Sequence, residues 1–224
     1  EEYARERAAG KAVFGPVARP ALPPQARRAV VARIAPRLRG LLSGRPLDGG
    51  PGEGGSAAGT PGAGGALRVI LRFDDGDDVL EFISSQVAPQ LCLAGPATPD
   101  HLLYTRPRPL FVDGQAPAGL ETPGGIEALK QTIAAGLRKY AAWYDDYFRK
   151  HAMGKEPRLE AFPRVVLIPG VGMLTAWRDA KHTRVVADIY HHTINVMRGA
   201  QGIGTYRSLG IRDTFDVEYW PMEL

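Results

Sequence analysis

The stretch Arg164-Val165-Val166-Leu167-Ile168-Pro169-Gly170-Val171-Gly172-Met173-Leu174-Thr175-Ala176-Trp177 decides the fold. Residues 164–168 and 173–177 are short runs of β-branched and apolar side chains, the composition and length of buried strands. Pro169 to Gly172 between them supply a preset φ and the glycines a tight turn requires. Strands joined so closely pair antiparallel. Long helical patterns flank them. Ile126, Leu129, Ile133, Leu137, Tyr140, Tyr144 and Tyr147 step by three or four along 122–151 and lay one apolar stripe. Beyond the hairpin, Asp179 can cap a second long helix with Val186, Ile189, Tyr190, Thr193, Ile194 and Met197 on its buried side. Gly199 and Gly202 are expected to end it.

Further out, Leu67 to Phe73 reads as a strand. Asp74-Asp75-Gly76-Asp77-Asp78 then turns the chain and offers carboxylates to cap a short helix through Val79, Leu80, Phe82 and Ile83. Pro23-Pro24 can open a helix whose apolar side is Val30, Val31, Ile34, Leu38, Leu41 and Leu42, and Pro36 inside it predicts a kink or two shorter helices. Thr214 to Trp220 alternates apolar and acidic residues, as a half-buried strand would. Hairpin connections without regular βαβ alternation point to an α/β fold, a three-layer sandwich on a largely antiparallel sheet. Nine of the 17 residues from Gly49 to Gly65 are glycine, too few side chains to pack a core. The expected organisation is a helical segment over 1–48, a flexible linker over 49–66 and an α/β domain over 67–224.

Composition narrows the class. With 224 residues, 44% hydrophobic and 23% charged, the chain suits one large domain or two small ones. It contains no apolar run long enough to span a membrane. One cysteine, Cys92, excludes a disulfide framework and a cysteine-built zinc site. No charged-then-apolar leader opens the sequence, so a cytoplasmic location is expected. With Glu1 first and an amphipathic Tyr219 to Leu224 last, a piece of a longer protein is expected. The net charge of +4 is uneven: residues 1–47 hold ten Lys and Arg against three Glu. A basic arm could meet nucleic acid, but no aromatics interleave with it as a stacking platform. The better reading places these charges on the outer faces of helices.

Chemistry concentrates in Thr98-Pro99-Asp100-His101-Leu102-Leu103-Tyr104-Thr105-Arg106-Pro107-Arg108-Pro109. Arg106 and Arg108 could grip a phosphate or carboxylate. His101, beside Asp100, could move a proton. The competing reading is a helix start capped by Asp100 or Thr98, with His101 hydrogen-bonded in a core. Asp188 and His192 share a helix face, but zinc requires at least three protein ligands. The acidic run 74–78 lacks calcium-loop spacing. Gly170-Val171-Gly172 lacks the remainder of a nucleotide fingerprint, Ser84-Ser85 lack a nucleophile elbow, and no motif surrounds Cys92.

Several of these segments resemble one family. Leu67 to Asp75 with Val79-Leu80-Glu81-Phe82-Ile83-Ser84-Ser85, Pro99-Asp100-His101-Leu102-Leu103, Val165 to Met173, Ile194 to Ala200 and Phe215-Asp216-Val217-Glu218-Tyr219-Trp220 are similar, in order, to the bifunctional class II aldolase/short-chain dehydrogenase proteins. These include the rhamnulose-1-phosphate aldolase/alcohol dehydrogenase type. The resemblance implies a class II aldolase/adducin-like fold and a place in the later part of the aldolase region. The family's zinc histidines would lie upstream of Glu1, and its nucleotide-binding glycine loop downstream of Leu224. Many relatives carry Arg-Thr-Lys where this chain has Tyr104-Thr105-Arg106. In a class II aldolase a Gly-His-Gly segment between two strands places its histidine on zinc; here the same layout holds Val171, which has no lone pair for a metal.

The resemblance implies carbohydrate metabolism in the longer protein, with zinc and NAD(P) as its cofactors and none in this part, which alone would be inactive. His101, Arg106, Arg108 and Asp100 are then the candidates for contacting a phosphorylated sugar. The expected partners are the preceding aldolase unit, the following dehydrogenase domain and further copies in a homo-oligomer; neither a membrane nor nucleic acid is expected. The alternative is a degenerate aldolase-like module that couples domains or makes an oligomer interface, for which the tyrosine-rich face of the 122–151 helix is suited. Convergence of His101, Arg106 and Arg108 in an open pocket would favour the first reading, and their burial in local hydrogen bonds the second.

Overall fold

Residues 2–9, 12–43, 68–112 and 119–221 are described by the computed structural model. The stretch 49–66, read above as a linker, lies outside them. Four strands, β1 (Ile70–Asp74), β2 (Leu110–Phe111), β3 (Val165–Ile168) and β4 (Gly172–Trp177), form one sheet in the order β1-β4-β3-β2. The β1–β4 and β3–β4 pairs are antiparallel, and β2 lies parallel to β3. The sheet is therefore mixed. The deciding hairpin forms as read, with Val166 opposite Leu174 and Leu167 opposite Met173. Gly170 takes φ +76° at its turn, and Gly172 takes φ +150°, where a Cβ would stand 2.6 Å from the Asp74 carbonyl oxygen. Both positions demand glycine.

The helices are α1 (Glu2–Ala8), α2 (Pro24–Leu42), α3 (Asp77–Ser84), α4 (Ala88–Leu93), α5 (Pro99–Thr105), α6 (Pro123–His151), α7 (Ala180–Ile203) and α8 (Ile211–Glu218). Alternation along the hairpin distributes them. Val166, Ile168, Leu174 and Ala176 face α2 and α6; Val165, Leu167 and Met173 face α3, α4 and α7. With both faces covered, β3 is wholly buried and reads as a continuous apolar run. A third cluster joins Tyr140, Tyr144 and Tyr147 of α6 to Phe215 and Tyr219 at α8.

Three local expectations are corrected. Of the kink or two shorter helices expected at Pro36, the two helices do not form: α2 runs unbroken to Leu42. Pro36 and Ala32 both lie on the exposed side, so the hydrogen bond that proline removes is on the wet face, while Val30, Ile34, Leu38 and Leu41 hold the other. Helix α7 passes through Gly199 and Gly202 and stops at Gly204, whose N–H donates to the Ala200 carbonyl. A glycine costs only about 1 kcal/mol against alanine in a helix, less than the packing of Ile194 and Met197 contributes. The segment read as a strand over 214–220 is helical to Glu218, where α8 ends. Its buried residues Thr214, Phe215, Glu218 and Tyr219 follow helical spacing, because the acid at 218 is inside. No helix among the described residues is long and apolar enough to cross a membrane.

Candidate functional site

Helix α5 carries His101 and Asp100. Thr98, extended at φ −143°, accepts the His101 N–H on its side chain, and Pro99 occupies the first turn. The helix ends at Arg106, the one described residue other than glycine with positive φ, +69°. Pro107 follows and disfavours the helical conformation there.

His101 is 5% exposed. Its Nε2 lies 3.0 Å from His192 Nδ1, and its Nδ1 lies 2.8 Å from Thr193 Oγ1. The Thr193 hydroxyl donates to the Ile189 carbonyl, which spends its only proton. His101 Nδ1 then donates to Thr193, while its Nε2 faces His192 Nδ1. Burial lowers the His101 pKa, the charge of His192 lowers it further, and Asp100 opposes both. His101 is thus fixed between two residues of α7. His192 itself is exposed. Asp100 is also exposed.

The arginines go elsewhere. Arg106, 6% exposed, donates from Nη1 to Glu218 Oε1 at 3.0 Å and to the Tyr144 hydroxyl at 3.3 Å. Tyr144 donates to the same Glu218 oxygen at 2.8 Å and stands 3.0 Å from the Tyr219 hydroxyl. Burial raises the Glu218 pKa, against the lowering by Arg106 and Tyr144. Arg108 lies 3.4 Å over the Trp143 ring, and burial lowers its pKa against the pull of Tyr140. So His101 meets α7, Arg106 meets α6 and α8, and Arg108 meets α6. The structure does not bring the three into one open pocket.

Two other motifs settle into place. Val171, at the turn, is fully buried in the α2/α6 cluster, and its N–H closes the turn onto the Ile168 carbonyl. Among the described residues no group of three or more His, Cys, Asp or Glu side chains could hold a metal ion, so zinc does not fit the described residues. The acidic run 74–78 is a network rather than a set of caps: Asp75 pairs with the buried Arg27 of α2 at 2.9 Å. His191 is bracketed by Asp78 on Nδ1 at 2.5 Å and by Asp74 on Nε2 at 3.1 Å. Burial lowers the His191 pKa, but hydrogen bonds to Asp78 and Asp74 and their charges overturn that and leave it raised. Sequence reading missed this clamp, because its members lie 113 and 117 residues apart.

Residues 29–224 match the family described as aldolase class II, second domain. The chain belongs to that family. Among curated proteins, the second domain is similar to a Bacillus subtilis (strain 168) protein described as the uncharacterized oxidoreductase YuxG, with 33% identity over all 224 residues. It spans 29% of that relative's length. No solved structure matches the chain. The mixed α/β sheet with helices on both faces is thus the architecture of an aldolase class II second domain.

Proposed function

We propose that this second domain is a non-catalytic module in the later part of the aldolase region of a longer, bifunctional protein. That protein would cleave a phosphorylated sugar of the rhamnulose-1-phosphate type on zinc, and oxidise the aldehyde product through an NAD(P)-dependent short-chain dehydrogenase in carbohydrate metabolism. One observation carries the structural role: the side chains best suited to grip a substrate are held in local contacts, His101 against α7 and the two arginines against the aromatic residues of α6, with Arg106 neutralised by a buried carboxylate. A substrate phosphate could engage Arg106 only by breaking that pair. The class II aldolase family and the oxidoreductase description of the relative support the context. The three-layer class II aldolase/adducin-like sandwich, the cytoplasmic location, the homo-oligomer and contacts to flanking aldolase and dehydrogenase domains belong to the same proposal.

A second reading keeps one contact role. The chain of contacts from Ile189 through Thr193 and His101 ends on the exposed His192 ring, within reach of a solvent-side proton. Both readings meet one assay: zinc-dependent cleavage of rhamnulose 1-phosphate by the whole polypeptide, with Arg108→Ala and His192→Ala. The structural reading predicts rates within about threefold of the parent. A loss above roughly a hundredfold, near 2.7 kcal/mol of transition-state stabilisation, in a folded Arg108→Ala would overturn it. The same loss confined to His192→Ala would establish the second reading.

A further inference from the structure

Outside the hydrogen bonds of the His101 and Glu218 networks, one charged cluster leaves donors unpaired. Arg164 enters β3 and Arg178 leaves β4, so the hairpin brings the two guanidiniums to the same end of the sheet. The Arg164 guanidinium lies 4.1 Å over the Trp177 ring, with its side chain 17% exposed. Among the described residues none of its side-chain N–H groups makes a hydrogen bond, and Nε is buried without a partner. Its nearest carboxylate oxygen, Glu160 Oε2, stands 3.6 Å away, beyond hydrogen-bond range. The other oxygen of Glu160 is taken by Arg178 Nη2 at 2.7 Å. Two guanidiniums therefore share one carboxylate and leave a positive charge uncompensated.

The same groups line a small open cavity of about 20 Å³, walled by Phe162 and Trp177. That space is too small for a sugar ring and takes only the tip of a larger group. Burial lowers the Arg164 pKa to about 10; Arg106 and Arg178 push the same way, and Glu160 opposes. The guanidinium has lost most of its hydration; Trp177 and the charge of Glu160 offset part of that, but its donors stay unpaired, and its planar fork matches an oxyanion. A cation would be repelled, and an apolar group would leave the donors unpaired.

We propose that Arg164 and Arg178, beside Trp177, form a binding site for an oxyanion, one phosphoryl or carboxylate group whose remainder lies outside the cavity. This site is separate from the network around His101 and does not depend on the function proposed above. Trp177 stacks on the bound arginine, so occupancy alters its fluorescence.

The test titrates inorganic phosphate, and in a second arm acetate, into the full chain at constant ionic strength set with chloride, reading tryptophan fluorescence and thermal unfolding. Saturation at or below about 10 mM is expected, the range of a single weakly held head group. The apparent affinity should fall at least tenfold in Arg178→Gln, whose exposed side chain can change without disturbing the fold, and in Arg164→Met. Trp177→Phe should abolish the fluorescence change and keep the thermal shift. Saturation by phosphate alone, by acetate alone or by both supports the site and tells which head group it takes. Saturation by neither, or unchanged affinity in a folded Arg178→Gln, overturns it; should Arg164→Met fail to fold, Arg178→Gln decides alone.

Discussion

Removing Arg106 tests whether the cation at the end of α5 is structural. It donates to Glu218 Oε1 at 3.0 Å and to the Tyr144 hydroxyl at 3.3 Å, and Glu218 is 2% exposed. Arg106→Met keeps the apolar stem and removes the charge. Glu218 is then a buried carboxylate without a counter-ion, and its second oxygen already lacks a hydrogen bond. Breaking one side of such a pair costs about 3–5 kcal/mol. For a chain of this size that lowers Tm by roughly 6–20 °C, at about 2–4 °C per kcal/mol. Glu218→Gln should cost somewhat less, because the amide keeps one acceptor for Tyr144 while Arg106 is left unpaired. The double variant Arg106→Met/Glu218→Gln should be more stable than the sum of the two losses implies, since no unpaired charge remains. Urea denaturation of the four proteins measures the cycle. A loss below about 1 kcal/mol in Arg106→Met, the range of an exposed pair, would refute the reasoning, as would additive losses. Either result would return Arg106 to the pool of substrate-binding cations.

Two further outcomes follow from the turns. His191 is raised above its ordinary pKa and Asp74 is lowered by His191 and the Gly76 N–H against the upward push of burial. The histidine's contribution is complete below its unfolded pKa near 6.5 and fades as pH rises through the folded value; that of Asp74 is complete above its unfolded value near 3.8 and fades as pH falls through the folded one. Stability from this clamp should peak between about pH 4 and pH 6.5, and His191→Gln should remove the decline on the alkaline side in a Tm-against-pH series; an unchanged slope would contradict the bracket. Gly172→Ala would place its Cβ 2.6 Å from the Asp74 carbonyl oxygen and from Phe73 Cε2, and should cost about 1–3 kcal/mol of overpacking by chemical denaturation. An unaffected Gly172→Ala would mean that the β1–β4 approach is looser than it is drawn.

The long elements were readable because their signals are local. The α6 stripe, the Asp179 cap and the hairpin around Pro169 to Gly172 each depend on residues within one or two turns of one another, and they form where the pattern places them. The failures came where a long-range partner reversed a local sign. Glu218 looked like a solvated acid on an alternating strand until Arg106, 112 residues away, supplied the charge that lets it go inside. Arg27 looked like part of a basic helix face, yet it is buried against Asp75. Pro36 obeyed its local rule, and its missing hydrogen bond simply fell on the wet side. At the candidate site the capping Thr98 and the hydrogen-bonded His101 were legible from spacing alone. Their partners His192 and Thr193 were not, because nothing near 101 announces which turn of α7 will face it.

The measurement that bears most directly on the account is the zinc content of the purified chain after equilibration with micromolar zinc and removal of the unbound metal. An aldolase-like domain with valine at the turn, and no three described ligands able to converge, should retain far less than one zinc per chain. One tightly held zinc per chain, lost in His101→Ala or His192→Ala, would contradict it and make this domain a metal centre in its own right.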